Sequence, residues 1–195
     1  MIAAGTELTQ VFLPHSGIVS MVVTLSEGQT VEVGMVGRDG IVGTPEAFGD
    51  GIALTDAVVL CPGTASAVNV AQLRAISDRS ANLRNQLIRY GQALFAQAQQ
   101  SVACNASHSV EERLSRWLLR ARDLWDGETL PMTQELLARM IGVQRNAVSI
   151  VAHALQKAGV LSYSRGQIEI TDVKALQATS CECHRAVKAR RQLLK

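Results

Sequence analysis

Between Gln134 and Val151 the small and apolar residues stand at Leu137, Ala138, Ile141, Gly142, Val143, Val148 and Val151. Two helical runs separated by a glycine turn fit this pattern. A small residue at Ala138 lets the second helix cross close, and Gly142 can take a left-handed backbone without a Cβ clash. The second helix is expected to begin near Gln144, turning Gln144, Arg145, Asn146 and Ser149 outward, with His153 one turn beyond Ser149. After Lys157, Ala158-Gly159 reads as a helix end. Val160 to Tyr163 and Ile168 to Ile170 then read as a hairpin around Ser164-Arg165-Gly166-Gln167. An ordinary packed helix pair shares the apolar spacing, but it does not predict the glycine, the polar outer face and the following wing together. The unit reads as a winged helix-turn-helix, and such units read DNA.

Upstream the period changes. Val11 to Leu13, Ile18 to Leu25, Thr30 to Val36, Ala57 to Cys61 and Ala65 to Val70 are short β-rich runs separated by turn residues, as in an antiparallel β-barrel or jelly roll. From Ala71 helix formers take over. Leu83, Leu87, Tyr90, Leu94, Ala98 and Val102 recur at steps of three and four, a narrow seam that predicts a long dimerisation helix; the competing reading packs it on the chain's own barrel. Ser109 with Glu112 predicts a capping box opening a helix to Trp125, with Trp117 and Trp125 in the core. Thr133 is expected to cap the first helix of the reading unit, and Asp172 to Ala178 to form a short last helix. The tail from Arg185 is expected to be a mobile basic end. The fold class is therefore α+β, with an effector-type barrel over 1–77, a dimerisation helix over 78–107 and a DNA-binding domain over 108–195.

Charge sharpens this division. Residues 1–77 carry two basic and seven acidic side chains, while residues 126–195 carry ten basic and six acidic ones, within a net charge of only +2. A basic carboxyl half suits phosphate contact. Aromatics at 4% argue against a base-stacking single-strand platform. No apolar run reaches the ~18 residues of a membrane helix, and no secretory signal opens the chain, so a cytoplasmic protein without membrane contact is expected.

Candidate chemistry elsewhere is sparse. Cys61, Cys104, Cys181 and Cys183 are expected to be reduced thiols. Cys181-Glu182-Cys183-His184 has metal-binding residue types, but one residue between the cysteines is fewer than structural zinc sites use, and a fourth ligand is wanting. A packing or surface role is expected, with no metal or cofactor. His108 with Glu111 and Glu112 could serve as an acid-base or metal pair, yet capping and solvation account for them, and no nucleophile elbow or phosphate loop is present; no enzyme is expected.

Barrel, long helix and winged helix-turn-helix in this order resemble the cyclic-AMP receptor and fumarate-nitrate regulator (Crp/Fnr) family. Val11 to Val23, Val31 to Gly43, His108 to Leu119 and Met132 to Ile170 carry the resemblance. It implies a homodimeric transcription factor whose barrel senses an effector and re-aims two reading heads, with double-stranded DNA and RNA polymerase as partners. Compared with the family, the chain is expected to start late. The arginine of the cyclic-nucleotide phosphate cassette falls near Ala53, and none lies between Arg38 and Arg74, so a buried phosphate would lack its cation. Cyclic nucleotide is therefore not expected as effector. The amino-terminal cysteines of the iron-sulfur branch are missing, and His15, in a turn, reads as a hydrogen-bonding residue rather than a haem ligand.

Arg145 matches the family's guanine-reading arginine, and Asn146 or Gln144 can pair with adenine. Asn146 and Ile150 replace a glutamate and a second arginine of the cyclic-AMP receptor, so the operator should differ. Thr133, Gln134, His153 and Arg165 are expected at phosphates. The alternative is a small-ligand barrel that regulates a protein partner without touching DNA.

Overall fold

The computed structural model describes residues 2–193. The chain opens with β1 (Gln10–Pro14), β2 (Ile18–Thr24) and β3 (Thr30–Val36). A short α1 (Thr44–Ala47) precedes β4 (Asp56–Cys61) and β5 (Ala65–Asn69). All pairings are antiparallel, in one sheet of order β3-β2-β4 and a second of order β1-β5. Single bridges at Ile2–Ala57, Glu7–Ile52 and Phe12–Val42 connect the rest. Among the described residues the continuous ladders make two antiparallel sheets, and the isolated bridges tie one to the other.

Asn69 ends β5 and caps α2 (Val70–Asp78), its side chain accepting from the Ala71 and Gln72 amides. Ser80 caps α3 (Ala81–Ser107), a helix of 27 residues. The helix ends at Ser107, with His108 as its C-cap, at the boundary expected from the sequence. There the chain turns into α4 (Val110–Leu124) through the anticipated capping box of Ser109 and Glu112. Next come β6 (Thr129–Leu130), α5 (Gln134–Ile141), α6 (Arg145–Lys157), β7 (Leu161–Ser164) and β8 (Gln167–Ile170). The wing is a three-stranded sheet of order β6-β8-β7.

The chain closes with α7 (Val173–Thr179) and α8 (Cys183–Leu193). The tail is thus a helix rather than a mobile end. Val187 is buried, Arg191 forms an ion pair with Asp39 (2.8 Å), and His184 bonds Asp123 (3.0 Å). Arg191, His184 and Lys188 face the protein's own Asp39 and Asp123, whereas Arg185 and Arg190 stay exposed; Lys195 lies outside the described residues.

One core joins the front and back of the molecule. Ile18, Met35 and Cys61 of the strands meet Trp117, Leu118 and Leu124 of α4, which in turn meet Leu137, Ile141, Val148 and Leu155 of the two reading helices. Trp117 is fully buried, while Trp125 is only partly covered, its indole donating to the Thr129 carbonyl (2.7 Å). The strand side of this junction carries Ser20, whose hydroxyl reaches both Glu32 (2.7 Å) and Met140 of α5 (3.4 Å).

Candidate nucleic-acid interface

Thr133 caps α5 by accepting from the Leu136 amide (3.1 Å). At the other end Gly142 takes φ 65°, ψ 48°, a left-handed conformation that stops the helix while the Val143 amide returns to the Ala138 carbonyl (3.0 Å). Arg113 of α4 donates to the Ile141 carbonyl, satisfying a group that the helix end leaves unpaired. Val148, Ala152 and Leu155 bury one face of α6. The opposite face presents Asn146, Ile150 and His153 to solvent.

Gln144 is the N-cap of α6 and makes no capping bond with its side chain; Arg145 and Asn146 are the first two helical residues, and all three are exposed. Polar groups are thus concentrated at the open N-terminus of the second helix, the part that enters the major groove in helix-turn-helix units. Ser149 differs from expectation. It is half-buried, and its hydroxyl donates to Gln134 Oε1 (2.6 Å), so it braces α6 against α5. The Gln134 amide nitrogen stays available as a donor.

At the wing tip Ser164 pairs with Gln167, leaving a two-residue turn in which Arg165 has φ 49° and Gly166 φ 78°. Both positive values define the mirror-image turn that fits strand twist. Arg165 is the only non-glycine residue with positive φ among the described residues, and a side chain there costs ~1 kcal/mol or more. Gly166 lies against the α5 cap, since a Cβ on it would stand 3.5 Å from Thr133 Cγ2. The fold therefore gathers Thr133, Gln134 and Arg165 at one edge, beside the row Gln144, Arg145 and Asn146.

The six residues expected at a dimer seam do not share one surface. Leu87 packs with Leu8, Val11, Val70 and Leu73, with Leu83 beside it; Leu94 packs with Val19, Val36 and Val42, with Tyr90 beside it. These four cover the chain's own sheets and are not free to meet a second copy. Ala98 is half-buried, and Val102 alone is well exposed. The outward stripe of α3 is instead Ile88, Phe95 and Val102, exposed by 53%, 67% and 67% and spaced seven residues apart.

A small cavity in the strand domain, lined by Glu46 and Ala53 among others, measures about 10 Å³, the scale of one water. The Glu46 carboxylate is buried there with Oε2 unpartnered, which opposes a phosphate, and Arg74 is spent on the Ala47 and Gly49 carbonyls. His15 bonds Ser66 (2.8 Å). A cavity of about 330 Å³ lies instead between β3, α3, α4 and α8. Gln97 Oε1, Arg116 Nε and Arg120 Nε are buried without partners on its lining residues. On the strand wall burial pushes the Glu32 carboxyl up from 4.5 to about 7, against the opposing effects of the Ser20 hydroxyl and the Arg116 guanidinium.

Known proteins agree with this architecture. Residues 112–179 match the Crp-like helix-turn-helix domain, and residues 1–80 match the cyclic nucleotide-binding domain. No curated protein matches the chain. Among solved structures, FixK2 from Bradyrhizobium japonicum superposes with a TM-score of 0.79 at 16% identity, covering 93% of this chain and 92% of its own. TTHB099, a CRP-family transcriptional regulator from Thermus thermophilus, gives 0.76 at 18% identity, covering 92% of each chain. The c-di-GMP responsive regulator CLP from Xanthomonas campestris gives 0.62 at 19%, covering 87% of this chain and 88% of its own. At these identities the likeness is one of fold; the two matched domains, in the family's order and joined by one long helix, carry the rest. No described helix is long and apolar enough to cross a membrane. The chain belongs to the Crp/Fnr family of helix-turn-helix transcriptional regulators.

Proposed function

We propose that this protein is a sequence-specific DNA-binding regulator that acts in the cytoplasm as a homodimer. The observation that carries the reading is the exposed row Gln144, Arg145 and Asn146 at an uncapped helix N-terminus beside the Arg165 wing tip. Arg145 reads guanine through O6 and N7, Asn146 or Gln144 reads adenine, and Thr133, Gln134, His153 and Arg165 hold phosphates. Ser149 supports this row from behind through Gln134. Without DNA as partner, as in a ligand-binding protein that regulates another protein, nothing would account for Arg165 occupying a strained turn position that asparagine or glycine fills at lower cost.

Two substitutions separate base reading from phosphate contact. Arg145→Ala should lower affinity for the selected site by ~1 to 3 kcal/mol while leaving random DNA nearly unchanged. Arg165→Asn should weaken both DNAs alike and reduce the salt slope by about one, with equal or higher thermal stability because asparagine tolerates the left-handed turn. Sites selected from random DNA, titrated at several salt concentrations, supply both readouts. Equal losses on cognate and random DNA for the two variants would sink the assignment.

The dimer forms along Ile88, Phe95 and Val102. Their seven-residue spacing keeps one stripe facing a partner helix, and paired heads suit half-sites ~34 Å apart. RNA polymerase would be engaged from the DNA-bound dimer. The effector site is the cavity between α3, α4 and α8, since its unpartnered donors suit a small anion and the strand-domain cavity does not. A panel of small carboxylates and phosphates should include one that changes Trp117 emission in the wild type and not in Arg120→Ala. Silence across the panel would remove this cavity as the sensor.

A further inference from the structure

Away from the DNA-reading edge, three buried cysteines and one histidine converge from segments far apart in sequence. Cys104 and His108 lie four residues apart at the end of α3, on one face. Cys181 lies in the link between α7 and α8, and Cys183 is the first residue of α8. Their ligand atoms all lie within 4.8 Å of one another. Cys104 Sγ is 3.6 Å from Cys181 Sγ, and Cys183 Sγ is 3.7 Å from His108 Nδ1. Zinc bonds of ~2.3 Å to sulfur and ~2.0 Å to nitrogen place neighbouring donors of a tetrahedron about 3.5 to 3.8 Å apart. We propose that Cys104, His108, Cys181 and Cys183 form a site for one tetrahedral zinc ion that fastens the C-terminal helix to the end of the dimerisation helix.

The surroundings are those of a metal centre. Glu182, between the two cysteines, lies 3.3 Å from His108 Nε2, while Nδ1 on the other side of the ring faces Cys183 Sγ. A carboxylate behind a ligating histidine is the usual support of such a ligand. Gln100 donates to Cys183 Sγ (3.1 Å), and Cys183 begins an 11-residue helix, where the N-terminal dipole favours a thiolate. Three thiolates and one divalent ion leave a single negative charge, with Arg113 and Arg116 within electrostatic reach of Cys104.

The three cysteines form a buried cluster of their own that takes in no other buried apolar side chain among the described residues. Simple core packing has no reason to exclude leucine and valine from it. An iron-sulfur cluster interposes its own atoms between ligands, whereas donors within 4.8 Å enclose one ion. Thiolate and imidazole donors select zinc over hard cations. His184, adjacent in sequence, points elsewhere, to Asp123. The ligands missing from the short Cys-x-Cys sequence are supplied by the end of α3.

The test is the metal content of the full chain purified without chelators from zinc-supplemented cells. About one zinc per chain is expected, falling at least tenfold in Cys183→Ser and unchanged in Cys61→Ser, whose thiol lies in the strand domain. Glu182→Gln, which keeps all four ligands, should weaken zinc ~10- to 100-fold in competition with a chromophoric chelator. Cobalt added to the metal-free wild type should show the intense visible bands of a tetrahedral thiolate site, a readout independent of whether any variant folds. A metal-free chain that takes up no cobalt tetrahedrally, or one isolated with a Cys104–Cys181 disulfide and no zinc, overturns the proposal.

Discussion

Phe95→Asp should convert the protein to a monomer in sedimentation and weaken operator binding by about 100- to 10,000-fold, the scale of advantage that linking two binding modules gives over one. Phe95 is two-thirds exposed at the middle of the outward stripe of α3, flanked by Ile88 and Val102 one heptad away on either side. A carboxylate there would meet its symmetry mate across a two-fold seam, where burial of like charge is unfavourable. Little of the chain's own core touches Phe95, so the variant should keep its Tm as a monomer. Leu94→Ala is the matched contrast. Leu94 is buried against Val19, Val36 and Val42, and its truncation should cost ~2 to 5 kcal/mol of stability while leaving the folded fraction dimeric. A dimeric Phe95→Asp, or a stable monomeric Leu94→Ala, would return the seam to the face proposed from periodicity.

Glu32→Gln should stabilise the protein in a pH-dependent way. Glu32 sits at the junction of strands, α4 and reading head, and its folded pKa of about 7 lies above its ordinary 4.5. A raised folded pKa means that the native state holds the proton more tightly than the unfolded chain. Stability is therefore complete below about pH 4.5 and is lost as pH rises toward 7. The loss approaches ~3 kcal/mol, from ~1.4 kcal/mol per pKa unit. Glutamine keeps an acceptor for the Ser20 hydroxyl and never ionises. Its advantage should be absent near pH 4, grow through pH 6 and reach about 6 to 12 °C in Tm at pH 8. Thermal melts of both proteins across that range decide the matter, and a constant difference at every pH would refute the buried, proton-holding Glu32.

The reading unit was legible because its constraints are local. Glycine at a left-handed helix end, a threonine cap and a capping box act within a few residues, and Gly142, Thr133 and Ser109 with Glu112 take those roles in the structure. The strand runs were legible for the same reason, since alternation and turns mark each strand separately. Which strands pair with which was not, because β1 meets β5 and β2 meets β4 across the molecule. Periodicity also misled on α3. Leu83, Leu87, Tyr90 and Leu94 do form a stripe, but a stripe states only that something covers it, and the two sheets of the same chain do so. The outward stripe is diluted by Gln92 and Gln99 and reads weakly in sequence.

The basic tail shows the same limit. Its charges suggested a solvated end, yet Asp39 and Asp123, distant in sequence, neutralise Arg191, His184 and Lys188 and seat α8 on the body. Sequence by itself determined the order of elements, the turn chemistry of the reading head and the exposed polar row Gln144, Arg145 and Asn146, because these follow from neighbours along the chain. Tertiary structure alone decided which apolar face of α3 is left exposed, where a cavity opens, and that four metal-type donors from the end of α3 and the start of α8 meet at one point. Those outcomes depend on distances between residues far apart along the chain, 79 positions in the case of Cys104 and Cys183, and no local preference encodes such a distance.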